Sequence, residues 1–256
     1  MSRRAPILLA AMLLVACCGV ALGVERFPPP DFESGHTFPE TRYPAPRADV
    51  WEYLDVGVLV VALGLASFLA LKVRRRRWLF VVMIGSLVYF GFVRGGCVCP
   101  IGAVQNVTLA VFDSSYALPL TVLAFFVLPL AATLLVGRTF CAGVCPLGAL
   151  QDLVVLRPVQ VPGWLDRGLR VVALVYLGLA VVLAATGSAF IICQYDPFVA
   201  FFRLSGSTAM LVLGACVLGI GTVVGRPYCR YLCPYGVMLG WMGKVSKWRV
   251  TITPDE

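Results

Sequence analysis

Two stretches of this chain repeat each other around a pair of cysteines. One is Gly137-Arg138-Thr139-Phe140-Cys141-Ala142-Gly143-Val144-Cys145-Pro146-Leu147-Gly148. The other is Gly225-Arg226-Pro227-Tyr228-Cys229-Arg230-Tyr231-Leu232-Cys233-Pro234-Tyr235-Gly236. A looser copy, Arg94-Gly95-Gly96-Cys97-Val98-Cys99-Pro100-Ile101-Gly102, precedes them, and Cys193-Gln194-Tyr195-Asp196-Pro197 sets an acid near the place of a second cysteine. A residue before proline is biased away from helix, and proline suits a first helical turn. Each motif therefore reads as a thiolate loop capping a new helix, whose free N–H groups and positive dipole end suit an anionic group. Thiolates gathered in this way can hold an iron–sulfur cluster, bind zinc or form disulfides.

The elements that carry these motifs are read from hydropathy. The chain has 256 residues, of which only 13% are charged, with a mean hydropathy of +0.89. Apolar runs of this length and number belong in a bilayer, and the expected fold is an all-α integral membrane protein. The net charge of +8 does not indicate nucleic acid, because the basic residues stand between apolar runs and do not line one face.

Residues 1–23 read as a secretory signal or an uncleaved sixth helix, and Leu14-Val15-Ala16-Cys17 also fits a lipoprotein processing site. Residues 24–50 are rich in proline, contain the sole histidine, His36, and form an external lead-in. Five spans are expected after that: Tyr53–Leu71, Trp78–Val93, Tyr116–Val136 with Pro119 and Pro129 as kinks, Val171–Ile192 and Met210–Val224. The first span and its basic turn occupy residues 51–77. One cysteine-bearing repeat fills 78–152, a second fills 153–247, and 248–256 is a tail. Asp55 is the one acid within a predicted span and lies near its end.

Charge fixes the orientation. If the cluster Lys72, Arg74, Arg75, Arg76 and Arg77 is cytoplasmic, alternation places sixteen of the 21 Lys and Arg residues inside, as the positive-inside rule requires. The chain is then a multi-pass protein of the inner membrane with a cytoplasmic C-terminus. The same alternation sorts the cysteines into two layers. Cys141, Cys145, Cys229 and Cys233 form an inner set, and Cys97, Cys99 and Cys193, with Asp196, form an outer one. Two parallel hairpin repeats related by an axis along the membrane normal bring the inner motifs face to face. Asp196, followed by proline, also reads as a plain helix N-cap.

Zinc usually takes tighter cysteine spacing and adds only rigidity, whereas soft sulfur ligands without histidine favour iron–sulfur chemistry. A thiol–disulfide carrier remains the rival for moving electrons, although the inner set faces a reducing compartment.

The motif Gly-Arg-x-aromatic-Cys-x-x-x-Cys-Pro-x-Gly, present twice, resembles that of the membrane polyferredoxin family, which includes NosR-type and NapH-type proteins. The likeness extends over residues 51–256. It implies an electron-transfer protein with [4Fe-4S] clusters, one at the inner cysteines and a second at the outer ones, working with quinone or with a flavin-bearing external partner. Such proteins usually continue into a cytoplasmic ferredoxin domain. Neither that domain nor an external flavin domain is evident here, so the expectation is a subunit of a membrane redox complex, completed by a cytoplasmic ferredoxin-like protein and the external partner, with no nucleic-acid role.

Overall fold

The computed structural model describes residues 48–96, 100–156, 158–192, 196–203 and 208–248. The leader, the proline-rich segment with His36, the tail and the cysteines Cys97, Cys99 and Cys193 lie outside the described residues. What is described is helical, without strands.

Helix α1 is Asp49–Phe68, with Asp49 and Glu52 in its first turn, where the positive dipole end favours acids. It continues through a widened turn, Leu69–Val73, that ends on Arg74 in a left-handed conformation. Asp55, Leu59, Leu63 and Ala66 recur at helical spacing and are buried, whereas Val60, Val61 and Leu65 on the other side are exposed. Helix α2, Arg76–Ser86, widens in the same way over Leu87–Val93 and buries Met83, Ser86, Leu87 and Phe90. Helix α3 is Pro100–Phe112 and α4 is Leu120–Val136. Pro119 stands just ahead of α4, and only Pro129 is inside it, with Thr133 Oγ1 donating to the Pro129 carbonyl at 2.7 Å.

The first full motif builds two short helices, α5 (Thr139–Gly143) and α6 (Pro146–Val154). Helix α7 is Gly163–Ala185 and α8 is Pro197–Arg203. Helix α9 is Thr208–Gly221, and the second motif repeats the short pair as α10 (Pro227–Tyr231) and α11 (Pro234–Val245).

Among the described residues, three helices are long and apolar enough to cross a membrane: Asp49–Val73, Arg76–Val93 and Gly163–Ala185. Helices α4, of 17 residues, and α9, of 14, are shorter. The third long helix corrects the expected fourth span, since it starts at Gly163 and ends at Ala185. Hydropathy misses its beginning because Asp166 and Arg170 belong to it, but their charges pair at 2.7 Å.

The short helices are the organising feature. Helix α11 runs beside the second half of α4 and ends level with it, because the Lys247 and Trp248 N–H groups donate to the Leu134 and Leu135 carbonyls. At its other end the Tyr235 hydroxyl donates to the carbonyl of Phe126 at 2.8 Å. Phe126 is ten residues before the end of α4, about 15 Å at the rise of an α-helix. The second motif therefore folds back from the end of the helices into the body of the protein. Helix α3 packs on α4 and α7, α6 packs on the end of α2, and α8 packs on α9.

Candidate metal centre

Local rules set each cysteine pair. Cys145 and Cys233 are extended N-cap residues, with φ/ψ of −68/117° and −70/111°, and Pro146 and Pro234 occupy the first helical turn behind them. The expected thiolate-capped helices are therefore present. The Gly236 N–H donates to Cys233 Sγ at 3.3 Å, and the Leu147 and Gly148 N–H groups serve Cys145. Glycine is needed at both third positions. A Cβ on Gly148 would lie 2.9 Å from the Cys141 carbonyl oxygen, and one on Gly236 would lie 3.0 Å from that of Cys229.

The two motifs meet. Cys141, Cys145, Cys229 and Cys233 line one internal cavity of about 40 Å³, roughly three times what a single water needs. None of the four is in a disulfide. Among the described residues, no three Cys, His, Asp or Glu side chains stand close enough to share a single metal ion. The sulfurs surround a space rather than a point. Burial, and secondly the neighbouring sulfur of Cys145, push the Cys141 thiol up to about 12; burial and then the other sulfurs push Cys229 and Cys233 well above the ordinary thiol range. Four thiolates are stable together here only with positive charge among them. The donor set, the space and the inward N–H groups all fit an iron–sulfur cluster.

Cross-contacts lock the motifs together. Arg226 pairs bidentately with Asp152 on α6, and its Nη1 donates to the Cys141 carbonyl at 2.7 Å. Burial opposes its charge, but the Asp152 hydrogen bond and charge more than offset this and hold Arg226 protonated. Arg226 is thus fixed at the site and does not extend toward headgroups. Arg138, its counterpart, lies across α11, where a Cβ on Gly240 would stand 2.5 Å from its Nη2. Gly240 has the place in the second motif that Asp152 has in the first. Gln151, fully buried, accepts from the Tyr228 N–H at 3.0 Å and donates to Cys229 Sγ at 3.3 Å. Tyr228 packs edge-on against Phe198 of α8, with ring centres 4.9 Å apart.

Asp196, expected in the outer layer, lies with the inner cysteines, whereas Cys97, Cys99 and Cys193 themselves are outside the described residues. Gly96 and Pro100, which flank Cys97 and Cys99 in the chain, line the same cavity as the inner cysteines, and so does Asp196. Helices α3, α6, α8 and α11 each begin with a proline, and Pro100 and Pro146 line this space. Hydropathy assigns chain to one face or the other and cannot register a segment that folds back between them. Asp196 caps α8 by accepting from the Phe198 N–H at 3.0 Å, and its charge bears on Cys145. Cys216 stays apart within α9.

A second, larger cavity of about 690 Å³ opens on the other side of Cys141, Cys229 and Cys233. Arg138, Arg170, Arg226, Arg230 and Lys244 line it, and no carboxylate does among the described residues. Two polar networks lie among residues to which the sequence reading gave no site role. Asp55, 1% exposed, pairs with Arg94 Nε at 2.7 Å and accepts from the Tyr89 hydroxyl at 2.7 Å. Asp166 joins Tyr231 and Arg230 to α7.

Comparison with known proteins points the same way. The family model of a 4Fe-4S binding domain matches residues 118–171 and 207–253. Each match holds one full cysteine pair and the helix that leads to it, and neither includes Cys97, Cys99 or Cys193. YccM of Escherichia coli K12, named as a candidate electron transport protein, is 30% identical over 148 residues, 51% of this chain and 40% of that protein. The regulatory protein NosR of Stutzerimonas stutzeri is 27% identical over 221 residues, 77% of this chain and 30% of NosR. The methylamine utilization ferredoxin-type protein MauN of Methylobacillus flagellatus is 24% identical over 121 residues, 45% of this chain and 42% of MauN. The chain thus spans less than two thirds of each of these relatives. No solved structure matches it.

Proposed function

The chain carries a 4Fe-4S binding domain in each half, and from that premise we propose that it is a membrane electron-transfer subunit whose two cysteine pairs jointly hold one cluster. The observation that carries this reading is the shared cavity: all four sulfurs line it, two from each motif. A bound cluster supplies a one-electron couple. The protein's own groups do the rest. Cys141, Cys145, Cys229 and Cys233 hold it, the N–H groups at the starts of α6 and α11 offset its negative charge, and Arg226 ties the two motifs together.

In this reading α1, α2, α4, α7 and α9 are five spans, the basic turns face the cytoplasm, and the two motif-bearing halves are parallel repeats. The basic cavity lies on the cytoplasmic side and admits an anionic donor to within contact of the cluster ligands. Electrons pass from a cytoplasmic or quinone-side donor toward an external partner of the flavin-bearing kind that the family resemblance implies. A second cluster at Cys97, Cys99 and Cys193 is a further station in this reading, supported by Gly96, Pro100 and Asp196, near them in the chain, which line the same cavity.

The test is iron and acid-labile sulfide analysis of anaerobically purified protein, with electron paramagnetic resonance after reduction. Iron and sulfide in equal amounts, and loss of one signal in Cys145→Ser or Cys233→Ser, are the expected results. A folded protein without iron refutes the reading. Reversible disulfides in its place would identify a thiol–disulfide carrier, and bound zinc a structural clip.

A further inference from the structure

The two full motifs match in spacing but not in charge. Arg138 and Arg226 each stand three residues before the first cysteine of their motif, and Asp152 and Gly240 each stand seven residues after the second. Arg226 crosses to the opposite motif and pairs bidentately with Asp152. Arg138 makes the same crossing onto α11, where it lies against Gly240 and Gly243. A carboxylate at position 240 would complete the second half as Asp152 completes the first. Glycine stands there, and Arg138 has no carboxylate partner among the described residues.

The place without a carboxylate opens on the larger cavity. Its volume of about 690 Å³ is that of a ligand pocket, and Arg138, Gly240 and Lys244 line it. Arg170, Arg226 and Arg230 line it as well, but each is already matched, Arg226 by Asp152 and the other two jointly by Asp166. A guanidinium takes a carboxylate through two parallel N–H···O bonds, which makes Arg138 a receptor for an acid supplied from outside. Trp241, half exposed in the same wall, adds an aromatic anchor of the kind that protein interfaces use. Cys141, Cys229 and Cys233 also line the cavity, so whatever the cations hold stands beside three of the four sulfurs. An electron donor gains from that position, whereas a lipid headgroup would insulate the site.

We propose that this cavity is the docking surface for an acidic protein segment, one carboxylate of which pairs with Arg138 as Asp152 pairs with Arg226. The inference rests on the electron-transfer reading above and adds the chemistry of the donor's contact, which is a set of adjacent Asp or Glu side chains. Charges at such a surface set the rate of encounter and make it fall with salt.

The experiment measures binding of a fluorescently labelled hexaglutamate peptide to the full chain in neutral detergent by anisotropy, with iron content determined in parallel. Gly240→Asp supplies the missing carboxylate from within the chain. The atoms in its way belong to the far end of the Arg138 side chain, which can turn aside to pair with it. The dissociation constant should be about tenfold higher in Gly240→Asp than in Gly240→Asn, which is equal in size but uncharged. It should rise about as much in Arg138→Gln, and added salt should raise it in the wild type. Arg75→Gln/Arg76→Gln, in the turn between α1 and α2 and outside the cavity, should leave binding in place.

Equal dissociation constants for Gly240→Asp and Gly240→Asn overturn the pairing with Arg138. An equal loss in the turn variant shows a response to net charge alone and overturns the surface. Displacement of the peptide by inorganic phosphate at the same concentration of charge marks a simple anion site, and displacement by phosphatidylglycerol in the micelle marks a lipid site; either overturns the proposal. Peptide binding is read without the cluster. Wild-type protein that binds the peptide but holds no iron therefore keeps the surface and defeats the electron-transfer reading instead.

Discussion

Adding one methyl group at Gly148 or Gly236 tests the geometry of the site without touching a ligand. The added carbon would lie 2.9 Å from the Cys141 carbonyl oxygen in the first case and 3.0 Å from that of Cys229 in the second. Both obstacles are backbone, so the first cysteine of each pair has to move by several tenths of an ångström. Overpacking of this kind costs about 1–3 kcal/mol. The ordinary preference of helices for alanine returns about 1 kcal/mol. Gly219 in α9 is the control, because nothing lies within 4 Å of a Cβ there, and alanine at that position gains the helical preference alone. The stability of Gly148→Ala or Gly236→Ala should therefore fall below that of Gly219→Ala by about 1–3 kcal/mol, the full cost of the clash. Thermal unfolding in detergent, compared across the three variants, reads the difference, and iron content should fall in the first two only. Equal stability and full iron in all three would refute the placement of the carbonyls against the glycines.

Asp55→Asn leaves Arg94 as a buried unpaired charge and should cost about 3–5 kcal/mol, with part recovered in the double variant Asp55→Asn/Arg94→Gln; chemical unfolding measures both. Arg226→Gln removes a bidentate pair that is partly exposed. A loss of about 2 kcal/mol is expected, with loosening of both motifs seen as faster alkylation of Cys141 and Cys229 in the metal-free protein. The raised thiols also give a pH dependence. In metal-free protein the folded state holds the Cys141 proton above the pH at which the unfolded chain releases it. Stability is therefore full below the ordinary thiol range and falls as pH rises toward about 12, which urea titrations across that window can follow.

How much of this was legible in the sequence depended on how local each rule is. Cys-Pro at a helix start is settled within four residues, and Cys145 and Cys233 take the extended cap conformation that the proline imposes. The positions of α1 and α2 followed from uninterrupted apolar runs. Depth did not follow, because hydropathy measures what a segment tolerates, not where its neighbours take it. Helix α3, with Gln105, Asn106 and Thr108 in its middle, reads as too polar for a span, and none was expected there. Within the protein, Thr108 donates to the Val104 carbonyl, Asn106 accepts from the Tyr116 hydroxyl and the Gln105 side-chain carbonyl accepts from the Ile192 N–H. Asp196 was legible as a cap because the acid and the proline are adjacent. The role of Gln151 spans 78 positions in the chain, and its one visible trace was the repeated Cys-Pro-x-Gly-Ala-x-Gln phrase.

The Arg226 bridge and the Arg138 groove make each motif depend on the other. Each arginine leaves its own motif to settle on a helix of the opposite one. Parted from its counterpart, either stretch keeps two sulfurs only, and Asp152 and Gln151 lose the Arg226 and Cys229 they hold, so damage to one stretch is expected to open both.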